Sequence, residues 1–331
     1  MRLASIFFFA FLIWRSLALC AAEQKDDRGK GDKHKDRQPV TVVSEPPAPK
    51  EFLRQEALVN AEHLARLIEK RAPNLVIIDA RAEAAYLAGH IAGSCHISSD
   101  QFQDTINPPF FLASADTVKR VCAENGIQAD SRVVIYDEDD GRLAARIWFT
   151  LHAYGHENVA ILNGGASKWK EARGAWTTEA IIKSKPNTFQ PAATLRGVCG
   201  FAELPQFRIR VHTLGKLPTT TLVDARSPAE YMGEDTRGKL SGHIPGAVNI
   251  EWSALLTGSE RARVWRSPPE IYAILRLAGI EPGQKIAIYD QAGGRSAHLY
   301  FTLWLMGFDK AFNYVAGWRE YGNRDDVEIE K

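Results

Sequence analysis

The chain has 331 residues, of which 45% are hydrophobic, and its 41 basic residues are almost balanced by 40 acidic ones. A chain of this size and composition can bury substantial cores and fits about two domains. The balanced charge gives no sign of a polyanionic partner, so we expect no nucleic-acid binding.

The N-terminus predicts an export signal over residues 1–22. A basic start precedes an apolar run, interrupted by Arg15, that is short for a membrane span. We therefore expect an exported, periplasmic protein. The alternative is a lipid anchor at Cys20, because Leu17–Cys20 resembles a bacterial lipobox, with Leu19 where a small residue is usual. Membrane contact is expected only through the signal or this anchor.

A charged and Pro-rich spacer is predicted over residues 23–52. Glu23–Arg37 holds six basic and five acidic residues, and a segment of this kind cannot bury enough apolar surface to fold. Ser44–Pro49 extends the spacer as a stiff arm. We assign no binding role to the spacer.

The rest of the chain contains an internal repeat. Three motifs recur in the same order: Asp79-Ala-Arg81 as Asp224-Ala-Arg226, Gly89–Gly93 as Gly242–Gly246, and Val134–Asp137 as Ala287–Asp290. The spacing of the motifs places an eight-residue insertion in the second copy, which includes Gly233–Lys239. Apolar runs alternate with helical patterns, which predicts a parallel α/β sheet in each copy. Ligands of such sheets bind at the carboxyl ends of the strands.

One such end carries a glycine-rich loop. Ile286–Tyr289 predicts a buried strand, Asp290–Arg295 a loop and Ser296–Met306 a helix. Gly293 and Gly294 let backbone N–H groups converge, and the helix dipole adds positive potential, so the loop predicts an anion cradle. The alternative is an ordinary turn whose glycines only permit a tight bend.

With these motifs in view, the chain resembles the tandem rhodanese family, the two-domain thiosulfate and 3-mercaptopyruvate sulfurtransferases. The resemblance covers about residues 54–328, and its further marks are Gly155–Val159, Leu162–Gly165 and Tyr289–Ala297. It implies two tandem rhodanese-like domains of the α/β class, each a parallel sheet flanked by helices. The implied segments are a non-catalytic domain at 53–178, a linker at 179–205 and a domain with the active-site loop at 206–328.

The sequence departs from the family pattern at the first loop position. The resemblance implies a cysteine there, whose thiolate takes a sulfane sulfur, holds it as a persulfide and passes it to a nucleophile. This chain has Asp290 at that catalytic position and Asp137 at the matching position of the first copy. A carboxylate cannot form a persulfide. We therefore expect Asp290 to be inactive and to fill the anion position, its charge satisfied by the loop amides.

The other candidate site residues lie in and around the same loop. The active-site loop comprises Gln291, Ala292, Gly293, Gly294 and Arg295. By resemblance, Arg226 and Arg237 match arginines that bind the anionic group of a sulfur donor, and guanidinium groups suit carboxylates and sulfonates. Arg226 can instead be a structural partner of a nearby acid, as Arg81 occurs equivalently, and Arg237 a solvated charge. Arg295 can face the anion or pair with Asp290.

No disulfide framework, metal site or cofactor is predicted. If the signal is removed beyond Cys20, three cysteines remain, and their spacing matches neither disulfides nor zinc ligands. Cys122 lies in the helical pattern Ala115–Glu124, Cys95 in a short buried strand, and Cys199 between the two copies.

Two functions remain open at this point. The first is a degenerate sulfurtransferase that binds a small anion, an anionic sulfur donor or a protein partner. The second is an enzyme that moves sulfane sulfur from thiosulfate or 3-mercaptopyruvate through an unrecognised nucleophile. A purely structural envelope protein is a third interpretation. Phosphatases of a related architecture are excluded, because they need a cysteine and five intervening residues before the arginine, whereas four separate Asp290 from Arg295.

Overall fold

The computed structural model of the protein describes residues 47–103, 112–179, 188–208 and 218–331. The predicted export signal with Cys20, and the spacer up to residue 46, lie outside these ranges, as does part of the predicted linker. Within the described ranges, no helix combines the length and the hydrophobicity needed to cross a membrane.

The first half of the described chain alternates strands with helices. Its strands are β1 (Leu58–Val59), β2 (Leu75–Asp79), β3 (His90–Ile91), β4 (Ser94–His96), β5 (Arg132–Tyr136), β6 (Val159–Leu162) and β7 (Trp176–Thr177). Its helices are α1 (Ala61–Glu69), α2 (Glu83–Ala88), α3 (Ala115–Glu124), α4 (Arg142–Ala153) and α5 (Gly165–Glu171). Side-chain caps start two of these helices, because Asn60 accepts from the N–H of His63 and Ser114 from that of Thr117.

The second half repeats the alternation. Its strands are β8 (Val198–Cys199), β9 (Thr220–Asp224), β10 (Ala247–Asn249), β11 (Leu256–Ser259), β12 (Ala262–Trp265), β13 (Lys285–Tyr289) and β14 (Ala311–Tyr314). Its helices are α6 (Pro228–Tyr231), α7 (Pro268–Leu277), α8 (Gly294–Leu305) and α9 (Gly317–Tyr321). Short 3-10 helices cover Gln55–Ala57, Ser99–Phe102, Phe201–Phe207 and Trp252–Leu255.

Each half forms a five-stranded sheet in which every pairing is parallel. The strand order is β4-β2-β5-β6-β1 in the first sheet and β10-β9-β13-β14-β8 in the second, so the two topologies match. The register matches too, since Tyr136 pairs with Asp79 and Tyr289 with Asp224. The predicted pair of α/β sheets is confirmed, and the loops after β5 and β13 leave at the carboxyl edge, where ligands bind in such sheets.

Helices α4 and α8 pack against each other between the two sheets. The ring centroids of Trp148 and Phe301 lie 4.7 Å apart, and those of Phe149 and Tyr300 lie 4.8 Å apart. Both helices are buried along most of their length, which explains why their sequences are apolar on nearly every face. One hydrophobic core therefore runs through both halves, and it brings the start of α4 beside the loop that follows β13.

Candidate functional site

The loop after β13 forms the cradle that the glycine pair predicts. The predicted strand gains Lys285, and the helix begins at Gly294 rather than Ser296. Gly293 causes this earlier start, because it caps α8 in the left-handed region at φ +87°, which disfavours residues with a Cβ. A Cβ at Gly293 would also lie 2.5 Å from Nη1 of Arg146. The turn thus requires glycine both for its backbone conformation and for space.

The carboxylate of Asp290 lies inside this cradle. It is 2% exposed and accepts hydrogen bonds from the backbone N–H groups of Ala292 at 3.0 Å and Arg295 at 2.7 Å, and also from that of Gly293. The hydroxyl of Ser296 adds a contact at 3.3 Å. These are the donors that a helix N-terminus offers to an anion. The side chain of Asp290 therefore occupies the position in which the loop amides would hold a bound anion.

The first copy has the same arrangement at Asp137. Its carboxylate accepts from the N–H groups of Gly141 and Leu143, both at 2.9 Å, and of Ala144 at 3.3 Å. Burial, together with the neighbouring Asp140 carboxylate, raises the pKa of Asp137 to about 7, although the three amides act against the shift. The loops after β5 and β13 thus both hold an internal carboxylate.

Arg295 does not point its guanidinium at an open anion site. Nη1 and Nη2 donate to the two carboxylate oxygens of Glu230 at 2.5 and 2.9 Å, while Nε lies 3.6 Å from Asp290. Glu230 is buried and also accepts from the hydroxyl and the N–H of Ser227 in a capping box. Burial acts to raise the pKa of Glu230, but Arg295 and Ser227 outweigh it and lower that pKa to about 2. The predicted pairing with Asp290 is secondary to this bidentate pair.

Arg226 is buried and does not line the cleft, and its contacts correspond to the structural alternative. Its side chain is 1% exposed, and Nε and Nη2 donate to Asp224 while Nη2 also donates to the carbonyl of Gly242 at 2.7 Å. The guanidinium stacks 4.3 Å from the ring centroid of Trp318. These contacts occupy the flat face of the guanidinium and its Nε–Nη2 edge, which a bound carboxylate would need. The interpretation of Arg226 as a structural partner of Asp224 therefore fits these contacts better.

The first copy supports the same conclusion for Arg226. Arg81 pairs with Asp79 at 2.7 Å, donates to the carbonyl of Gly89 at 2.7 Å and stacks 5.1 Å from Trp176. A contact set that occurs in both copies is a feature of the fold rather than of one site. The histidines of the repeated motif behave alike as well, since His90 stacks on Tyr86 and the second copy has an equivalent stack.

Arg237 reaches the site from the insertion of the second copy. Its side chain is 53% exposed, it pairs with Asp235 at 2.8 Å, and it lies 3.7 Å from Glu230. Its carbonyl accepts a 2.9 Å hydrogen bond from the side chain of Gln291, which ties the insertion to the loop. Arg237 is thus exposed at the cleft, with its Nε and Nη2 on Asp235, whereas Arg226 is buried.

A cleft of about 440 Å³ opens above the loop between the two halves. Its lining from the second half is Arg237, Trp252, Asp290, Gln291, Ala292, Gly294 and Arg295. Its lining from the first half is Ser99, Asp100, Gln103, Arg142, Leu143 and Arg146. The residues from the first half are not predicted by the sequence motifs, although two arginines in the otherwise apolar start of α4 are a detectable signal.

The three described cysteines lie away from this cleft. All three are buried, at 3% exposure or less. Cys95 lies in β4, and its sulfur contacts the carbonyl of Ile77 at 3.5 Å, while Cys122 lies in α3 as predicted. Burial raises the pKa of both Cys122 and Cys199 to about 12, so these thiols are protonated at neutral pH.

Comparison with known proteins agrees with the internal repeat. A model of the rhodanese-like domain matches residues 60–172 and again 211–324. These segments fall inside the two predicted domains, whose ends stay predictions. A thiosulfate sulfurtransferase of Pseudomonas aeruginosa is 29% identical over 268 residues, which cover 78% of this chain and 92% of the relative. One of Azotobacter vinelandii is 29% identical over 263 residues, with the same coverage.

Solved structures share the fold. A variant of EanB in complex with ergothioneine has a TM-score of 0.73 at 25% identity, covering 86% of this chain and 72% of EanB. YnjE has a TM-score of 0.73 at 22% identity, covering 85% of this chain and 69% of YnjE. One conclusion follows from the two family segments, the two sheets of identical topology and the loop at the carboxyl edge of the second sheet. The chain belongs to the rhodanese family, with two tandem rhodanese-like domains on a sulfurtransferase-like scaffold.

Proposed function

We propose that this protein is a rhodanese-family binding protein that does not transfer sulfur. The observation that carries the proposal is the Asp290 carboxylate inside the cradle, held by three loop N–H groups. Sulfur transfer by a persulfide needs one atom that is both nucleophile and leaving group, which a thiolate provides and a carboxylate does not. Asp290 also satisfies the donors that would stabilise an anionic sulfur species.

The alternative function requires another nucleophile, and the described cysteines suit that role poorly. A reactive cysteine is usually a partly exposed thiolate in electropositive surroundings. Cys122 and Cys199 are buried thiols of raised pKa, and Cys95 is 3% exposed within a sheet. Thiosulfate and 3-mercaptopyruvate are charged and would have to enter the core to reach them. This chemistry favours binding over turnover.

The experiment that tests the proposal is a search for a protein persulfide. The purified chain is treated with thiosulfate or 3-mercaptopyruvate and analysed by intact-protein and peptide mass spectrometry. We expect no added sulfur on any cysteine, because the three cysteines within the described residues are buried. An added sulfur on one cysteine, lost when that residue is changed to serine, would support the alternative and identify the nucleophile. A thiosulfate sulfurtransferase such as the Pseudomonas aeruginosa relative serves as the positive control.

We also propose that the protein works outside the cytoplasm, in the periplasm, with lipid anchoring at Cys20 as the alternative. The proposal rests on the apolar N-terminus and the charged spacer. Cell fractionation with N-terminal sequencing tests it, and we expect a mature N-terminus near Ala21–Glu23. A lipid-modified Cys20 would favour the anchor, and a cytoplasmic protein that retains Met1 would contradict export. A protein partner or a structural role in the envelope then becomes testable by cross-linking in that compartment.

A further inference from the structure

The guanidinium of Arg146 is buried beside the cradle, and part of its hydrogen-bonding capacity is unused among the described residues. Arg146 is 2% exposed and lines the cleft. Nη1 makes a long contact of 3.4 Å to the carbonyl of Gly293, which links the two halves. Among the described residues, neither Nε nor Nη2 has a hydrogen-bond partner. Burial lowers the pKa of Arg146 to about 10, although the charges of Asp290 and Asp100 oppose the shift.

The unused donors share one edge of the guanidinium. Nε and Nη2 together form the fork that binds two oxygens of a carboxylate or another oxyanion. Arg226 shows this use within the same protein, since its Nε and Nη2 both donate to Asp224. Arg146 has the same edge without a partner in the described chain. A buried charge with unmet donors is costly until a counter-ion pairs with it.

The equivalent position of the second domain has a different environment. Arg146 is the fifth residue after the left-handed cap Gly141, and His298 is the fifth after the left-handed cap Gly293. His298 stacks on Trp265, with ring centroids 4.5 Å apart. The same indole is so close to Gly141 that a Cβ there would lie 2.2 Å from it. The space beside the first loop is therefore filled by a tryptophan.

The hairpin of β11 and β12 completes this closure of the first loop. Trp265 lies at its end, and Arg263 pairs with Asp139 at 3.2 Å and with Asp140 at 3.1 Å. The second loop instead faces the cleft of about 440 Å³. The two halves thus share a fold, but the open space and the unpaired guanidinium edge occur together at the second loop.

The remaining charges of the cleft favour an anion near Arg146. Nη1 of Arg142 lies 3.7 Å from the position of a Cβ on Gly294, close to the N-terminus of α8. Arg237 adds a further exposed guanidinium at the mouth. Asp100 and Asp290 oppose an anion, but the charge of Asp290 is already met by its loop amides.

We propose that this cleft binds a small oxyanion, such as sulfate, a sulfonate or a carboxylate, with two oxygens on the Nε–Nη2 edge of Arg146, which is covered in the empty protein and turns towards the cleft when the anion binds. The inference rests on the proposed function, because there the loop amides are occupied by Asp290 and cannot hold the ligand. The site therefore lies on α4 of the first domain, with Arg142 and Arg237 supplying positive charge around it.

The test is a calorimetric titration of the full chain with sulfate and with methanesulfonate at constant ionic strength, with chloride as the reference anion. The variants are Arg146→Met, which removes the fork, and Arg146→Lys, which keeps the charge but not the fork. Arg120→Gln is the matched control, because Arg120 is an exposed helix arginine paired with Glu124 at 3.0 Å. Denaturant unfolding without anion is measured in parallel.

We expect saturable binding by the wild type, about tenfold or more weaker binding by both Arg146 variants, and unchanged binding by Arg120→Gln. Without anion, Arg146→Met is expected to be at least as stable as the wild type, since it removes an unpaired buried charge. If Arg146→Met does not fold, the anion affinity of Arg146→Lys alone tests the inference. No saturable binding beyond that of chloride, or wild-type affinity in the Arg146 variants, would overturn the inference.

A sulfur-transfer assay on the same preparations separates this inference from the proposed function. Anion binding without turnover supports both. Sulfur transfer together with anion binding that depends on Arg146 contradicts only the proposal that the protein does not transfer sulfur. Absence of both binding and turnover contradicts only the anion site on α4.

Discussion

The carboxylate of Asp290 accepts a 2.7 Å hydrogen bond from the backbone N–H of Arg295, in the first turn of α8. This contact places an internal negative charge at the positive end of a helix dipole, where a ligand anion would otherwise bind. The guanidinium of Arg295 turns away to Glu230. The loop is therefore complete without a ligand, and this internal closure is the basis of the first prediction.

Asp290→Ala is expected to destabilise the protein by about 1–3 kcal/mol, because it leaves several loop N–H groups without an acceptor. Asp290→Asn is expected to cost less, since its side-chain oxygen still accepts. Urea unfolding measures both changes. Asp235→Ala, at an exposed acid near the same cleft, is the control and is expected to cost at most about 1 kcal/mol. Equal stability of Asp290→Ala and the wild type would contradict the closed cradle.

Arg226→Ala and Arg81→Ala are both expected to destabilise the protein by about 3 kcal/mol or more, because each leaves a buried carboxylate unpaired. Arg226→Lys is not expected to rescue the loss, since lysine lacks the fork and the flat face that stacks on Trp318. Thermal and denaturant unfolding provide the measurement. Arg237→Ala, at an exposed position, is the control. A ligand-binding role for Arg226 would instead give a stable variant with weaker anion binding.

Much of the site could be predicted from local sequence. The apolar run before Asp290 and the glycine pair after it specify a strand, a tight turn and a helix, and these need only neighbours in the chain. The internal repeat predicted the two matching sheets. The location of Asp290 in the cradle follows from these local elements, and its geometry agrees with that expectation.

Local sequence specifies the contacts of Arg226 and Arg146 only in part. By resemblance Arg226 matches arginines that bind a sulfur donor, whereas in the structure it pairs with Asp224, two residues before it, and stacks on Trp318 of α9. The repeated Asp-Ala-Arg motif contained this pairing, which occurs in both copies. Arg146 could not be placed at the site, because the packing of α4 on α8 brings together residues 147 positions apart.

The Glu230–Arg295 pair predicts an acid-dependent loss of stability. The pKa of Glu230 is lowered in the folded protein to about 2 from its usual 4.5. As the pH falls, Glu230 is therefore protonated in the unfolded chain before it is protonated in the folded protein. The stabilisation that the Glu230–Arg295 pair provides is fully present above about pH 4.5 and is lost as the pH falls towards 2. Glu230→Gln is expected to flatten this part of the stability profile. Denaturant unfolding between pH 2 and 6 checks it, with Glu69→Gln, at an exposed position at the end of α1, as the control. An unchanged slope in Glu230→Gln would contradict the assignment.

Asp290→Cys is expected to create sulfur transfer. The introduced thiol meets the same loop N–H groups and the N-terminus of α8, which lower the pKa of a cysteine and increase its thiolate fraction. Arg237 and Arg142 remain at the cleft to attract an anionic donor, whereas Arg226 does not. Mass spectrometry after treatment with thiosulfate or 3-mercaptopyruvate should show an added sulfur at position 290. A well-folded variant with neither persulfide nor turnover would show that the cradle has lost more than its nucleophile.

The most direct test of the central claim is the rate of thiocyanate formation from thiosulfate and cyanide by the wild-type protein. The Asp290 carboxylate cannot carry a sulfane sulfur, and the described cysteines are buried. We therefore predict a rate equal to the uncatalysed background at every protein concentration. A rate that rises with protein concentration, and that one cysteine-to-serine change abolishes, would contradict the account.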